Sequence, residues 1–135
     1  MWVRVKIERE SWVFISAYGP GSENSEVKIE EFWNESSEFV GSIGGNELVH
    51  GCAWGFECQM GNEVIEGIVG RHGLPGRNES GERLLEMCAE QELVVGNSWF
   101  KENDVCKSTW VRMAEVRVVD KALMDYVLLP RRMLG

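Results

Sequence analysis

Basic residues are in short supply in this chain of 135 residues: 14 Lys and Arg stand against 22 Asp and Glu, a net charge of −8 with a pI of about 4.8. A chain of that sign lacks the electrostatic footprint of an autonomous DNA binder. It does not lack the means for metal-dependent hydrolysis, whose sites are themselves built from carboxylates. Proline is scarce, at 3 residues, and no apolar run reaches the length of a membrane-spanning helix. Cysteine is limited to Cys52, Cys58, Cys88 and Cys106, whose spacing suggests no disulfide framework. No secretory leader is recognisable, so the expectation is an intracellular chain with reduced thiols. The glycosylation-type triplets Asn34-Glu35-Ser36 and Asn78-Glu79-Ser80 are then idle.

What is present points to a folded domain. Apolar residues make up 44% of the chain, and the 6 Trp argue against disorder throughout. Met1 to Ile7 alternates apolar and polar residues and reads as a strand. Glu8-Arg9-Glu10 fits a tight turn, and Ser11 to Tyr18 is a second strand, apolar enough to be central, so the two predict a hairpin. From Ser25 to about Val40 the period becomes helical, with Ile29, Phe32, Trp33 and Phe39 on one face. Residues 61–81 are glycine-rich loop. A second helix is predicted from about Glu82 to Glu92, with Ser80 as its cap. Leu93-Val94-Val95, Thr109-Trp110-Val111 and Tyr126-Val127-Leu128-Leu129 read as strands. Helices and strands mix without strict alternation, which predicts an α/β or α+β sandwich.

Short motifs then fall in a telling order. Ala17-Tyr18-Gly19-Pro20 ends a buried strand, Asn78 and Gly81 precede the Leu84-Leu85 helix, and Leu93-Val94-Val95 leads into Asn97-Ser98-Trp99-Phe100. Ser108-Thr109-Trp110 opens a later strand, and Met124-Asp125-Tyr126-Val127-Leu128 closes the set. In this order the chain resembles the endonuclease/exonuclease/phosphatase domain, of apurinic-endonuclease type, found in non-LTR retrotransposons. Within that family it looks most like the craniofacial development protein 2-like group. The resemblance covers nearly the whole chain and implies a four-layer α/β sandwich that hydrolyses phosphodiesters in DNA with magnesium. It implies that Tyr18 contacts the scissile phosphate, that Asp125 orients the catalytic histidine, and that Thr109 and Trp110 lie beside the DNA, with Asn78 and Asn97 as further nucleic-acid contacts. Each also has a packing reading: a strand-end tyrosine, a turn or cap aspartate, a core tryptophan.

The resemblance also shows what is missing. The family's metal-binding glutamate lies upstream of the tyrosine strand, and its catalytic histidine follows the aspartate strand; neither has a counterpart here. His50 and His72 stand in other segments. The family's valine-rich central strand ending in Gly-Asp-Leu-Asn is replaced by residues 48–60, beginning Leu48-Val49-His50-Gly51-Cys52. With suitable synonymous codons, Gly51 to Met60 read one base later encodes Val-Val-Leu-Gly-Asp-Leu-Asn-Ala-Arg, so this stretch is expected to be translated out of frame. A strand carrying His50, Gly51 and Gly55 is expected to be disrupted, at about 1–3 kcal/mol for each buried polar group left unpaired.

These readings combine into one expectation: residues 1–135 form a single incomplete domain of that fold, a non-catalytic relic of a retrotransposon-derived endonuclease. No cofactor is expected in this chain, although the family uses magnesium. DNA, the ancestral partner, is expected to bind weakly or not at all; no membrane or small-molecule cofactor is expected, and nuclear location is implied by the family alone. The alternatives are a residually active magnesium-dependent nuclease, with Glu57 standing in for the missing carboxylate, and a domesticated acidic protein-interaction module. A zinc site of His50, Cys52, Cys58 and His72 is disfavoured, because its intervals fit no common zinc framework.

Overall fold

The computed structural model describes residues 1–21, 23–43, 47–55, 58–103, 110–115, 117–122 and 125–135. The first hairpin forms as its alternation predicts. Strand β1 (Trp2–Ile7) pairs antiparallel with β2 (Glu10–Gly19), from Trp2 against Ile15 to Ile7 against Glu10. Helix α1 (Glu26–Ser42) then crosses over to β3 (Glu47–Gly55), which runs parallel to β2. That parallel pairing is what a helical crossover permits and a tight turn does not. After a long loop come α2 (Glu79–Glu90), the short β4 (Leu93–Val95), and a hairpin of β5 (Trp110–Ala114) and β6 (Arg117–Ala122). Strand β7 (Asp125–Pro130) returns to the sheet between β3 and β4. The main sheet has the order β1-β2-β3-β7-β4, with β5–β6 a separate two-stranded sheet. The class is mixed α+β.

Two expectations need correction. The second helix is capped by Asn78, not Ser80: the Asn78 side chain accepts a hydrogen bond from Gly81 N at 2.9 Å, so the helix begins at Glu79. Ser80 is already inside the first turn. The central strand is also unbroken in its backbone. Glu47–Gly55 is in register with β2 along its whole length, and Gly51 to Trp54 also pair with β7. Ladder bonds come from the main chain, so a strand with partners on both sides forms even where its side chains are poor strand formers.

The core lies where α2 meets β4 and β7. Leu84 and Cys88 of α2 are fully buried, packed with Leu93, Val95, Tyr126 and Leu128 of the sheet. The loop after β3 adds Met60, Ile68 and Val69 to the same cluster. By contrast, α1 has no buried residue; only its Trp33 and Val40 reach that core. It is held to α2 largely by polar contacts. Ser37 Oγ donates to Glu90 (3.3 Å) and accepts from Gln91 Nε2 (3.0 Å), while Arg83 lies 3.9 Å from Glu30. A cleft of about 360 Å³ remains between α1 and the sheet, walled by Trp2, Ile15, Phe32, Trp33, Phe39 and Leu128 among others.

Candidate functional site

Tyr18 stands at the end of β2, opposite Trp54 of β3, and Trp54 in turn stands opposite Asp125, the first residue of β7. The sheet therefore brings the two residues assigned to catalysis by resemblance into one row at one end. Residues directly opposite in neighbouring strands point to the same face, and two strand spacings separate these by roughly 9–10 Å. Tyr18 is 62% exposed, at the mouth of the cleft under α1. It also borders an open hollow formed with Gly19, Pro20, Asn24, Lys28 and Phe32. Asp125 is half-buried.

Asn97 joins that row through the backbone. The β4–β7 ladder ends at Val95 opposite Leu128, and the chain turns away in a short 3-10 segment, Gly96–Ser98. There the Asn97 side chain takes over. Its Oδ1 accepts from Val127 N at 2.6 Å and its Nδ2 donates to the Asp125 carbonyl at 3.3 Å. The amide imitates one more strand residue and fixes the backbone from which the Asp125 side chain projects. Its next neighbour Ser98, wholly buried, accepts from Gly70 N (2.8 Å) and donates to Val95 O (2.6 Å).

Asn78 serves a second clasp. Besides capping α2, its Oδ1 accepts from Gln59 N at 3.0 Å, and its own N–H donates to Gln59 O at 3.0 Å. Gly81 completes the clasp, because a Cβ there would collide with the Gln59 carbonyl. From the other side the Tyr126 hydroxyl donates to Cys58 O (3.0 Å) and accepts from Met60 N (3.2 Å). Asn78 thus pins the segment that follows β3. Thr109 lies outside the described residues, and Trp110 is described only as the first residue of β5.

The buried side chains are tuned toward their neutral forms. Desolvation pushes the Cys58 thiol up to about 12, and Cys88 likewise to about 12, with the nearby Cys58 adding to the second shift. Burial also raises the Tyr126 phenol well above its ordinary value. Neutral thiols are poor nucleophiles and poor metal ligands. Among the described residues no three His, Cys, Asp or Glu side chains are grouped so as to hold a metal ion.

Sequence reasoning missed Gln59, Gly81 and Tyr126 as the partners that order the end of the central segment. The spacing Asn78-x-x-Gly81 ahead of an apolar helix was the available signal, since it joins a capping residue to a position where only a hydrogen fits.

The frame is therefore a mixed α+β domain with a row of Tyr18 and Asp125 across one end of its main sheet. No family model and no solved structure matches the chain. Over 77 residues, 57% of its length, it is 34% identical to craniofacial development protein 2 of Bos taurus and, over a stretch of the same length, 32% identical to that of Tragulus javanicus. That similarity agrees with the group the motifs resemble. The matched stretch covers only 12% and 13% of those relatives' own length.

Proposed function

We propose that this chain is a non-catalytic relative of the metal-dependent endonucleases of non-LTR retrotransposons, built on part of the endonuclease/exonuclease/phosphatase fold. One observation carries the reading: the row Tyr18, Trp54, Asp125. Tyrosine and aspartate occupy the two outer positions that the resemblance assigns to phosphate contact and histidine orientation. The strand between them ends at Gly55, where the shifted reading of residues 51–60 has the family's aspartate, with Glu57 at the position of its asparagine. A glycine has no side-chain acceptor for a metal ion or an attacking water. Metal-assisted phosphodiester hydrolysis needs placed oxygen ligands, so the chemistry fails at Gly55, one residue past the middle of the row. The net charge of −8 works against tight binding to a phosphate backbone.

The test is turnover of an abasic and a nicked duplex in magnesium, by the protein and by its Tyr18→Phe and Asp125→Ala variants. The expected result is no magnesium-dependent cleavage. Cleavage that both substitutions abolish overturns the reading; cleavage that neither affects is contamination. The codons for residues 48–60 supply an independent check. If the shifted frame encodes Val-Val-Leu-Gly-Asp-Leu-Asn, the altered strand arose by loss of frame.

A further inference from the structure

Among the described residues β1 pairs with β2 alone, which leaves its other edge at the margin of the sheet. All six residues of β1 are exposed. Alternation places Trp2, Arg4 and Lys6 on one face and Val3, Val5 and Ile7 on the other. The first face is the helix side, because the Trp2 ring packs 5.7 Å from that of Phe39 on α1. Arg4 extends over the same Trp2 ring, its guanidinium carbon 5.8 Å from the centroid. The second face keeps Val3, Val5 and Ile7 at 53%, 39% and 45% exposure. The outward N–H and C=O groups of an edge strand accept a further strand, and the side chains decide which one.

A second copy fits this edge poorly. Two β1 strands paired antiparallel, with both helix layers on the same side of the joined sheet, bring Arg4 opposite Arg4 or opposite Lys6. Like charges directly across a strand pair are destabilising, and opposite charges are favourable. We propose that the outer edge of β1 binds an extended segment of another polypeptide in which acidic residues alternate with β-branched apolar ones. The acidic side chains then stand opposite Arg4 and Lys6, and the apolar ones opposite Val3, Val5 and Ile7. Glu8 and Glu10 oppose this locally at the Ile7 end of the hairpin, while exposed acidic charges beyond about 8 Å are largely screened at physiological salt.

The experiment measures fluorescence anisotropy of two labelled peptides, Val-Glu-Val-Glu-Val and Val-Lys-Val-Lys-Val, titrated with the whole chain and with its Arg4→Glu/Lys6→Glu variant. The wild type is expected to prefer the glutamate peptide by roughly tenfold, and the variant to reverse that preference. Circular dichroism checks that the variant is folded; should it not be, Lys6→Glu alone is expected to remove most of the preference. Equal affinity for the two peptides, no binding to either, or an unchanged preference in the folded variant overturns the proposal. Sedimentation of the wild type alone is expected to give a monomer. A concentration-dependent dimer that excludes the peptide makes a second copy the occupant and also overturns it.

Discussion

The Tyr126 hydroxyl and the Cys58 carbonyl, far apart in sequence, meet at 3.0 Å inside the core, and the same hydroxyl receives the Met60 amide at 3.2 Å. Strand β7 thereby holds the chain as it leaves β3. Tyr126→Phe keeps the ring and strands a buried carbonyl and a buried amide. The expected loss is about 1–3 kcal/mol of stability, read from the midpoint of urea denaturation. An unchanged midpoint would show that solvent reaches both groups.

Asn78 holds that segment from the other side. Asn78→Ala removes the cap of α2 and the bond to Gln59 N together, with an expected cost of about 1–2 kcal/mol. Asn78→Ser, which retains a capping oxygen but shortens the reach to Gln59, is expected to fall between the two. Gly81→Ala is expected to destabilise by about 1–3 kcal/mol, because its new methyl group meets the Gln59 main chain rather than a side chain that can move. Thermal melts of the three variants rank them directly.

The buried thiols make stability fall in alkali. Each has an ordinary value of 9.0 and a folded value pushed to about 12. Below 9 both folded and unfolded chains carry neutral thiols, and the full stability is present. Above 9 the unfolded chain sheds its protons while the folded chain retains them, so stability declines until the pH passes about 12. Tyr126, raised by burial in the same cluster, acts in the same direction at higher pH. Denaturation midpoints measured across this window are expected to drop steadily, and Cys58→Ala is expected to flatten the curve. A slope identical in the variant would assign the alkaline loss elsewhere.

The hairpin, both helices and the strands at Leu93 and Tyr126 were legible because each carries its own period or cap. So was the order of motifs that joins Tyr18 to Asp125. The parallel pairing of β2 and β3 was not legible, since register across a crossover depends on partners far along the chain. Nor was the survival of β3. Its residues alone read as a weak strand, whereas its backbone has a partner on each side. Asn97 shows a related limit: whatever contact the resemblance implies for it, its setting in the sequence does not show that its amide stands in for a missing residue of β4. Ser80 was the wrong cap because Ser80 and Asn78 are both good candidates locally, and the choice is settled by Gln59.

The main sheet is assembled from two stretches of chain. Residues 1–55 supply β1, β2 and β3, and the later residues supply α2, β4 and β7. The seam between them is the short match of Gly51–Trp54 with Leu128–Asp125. It closes the longest loop of any pairing in the sheet, so it bears the largest entropic cost of closure. Residues 48–60 include the β3 side of that seam. The change of reading frame proposed for residues 48–60 would fall on the one ladder that makes two half-sheets into one.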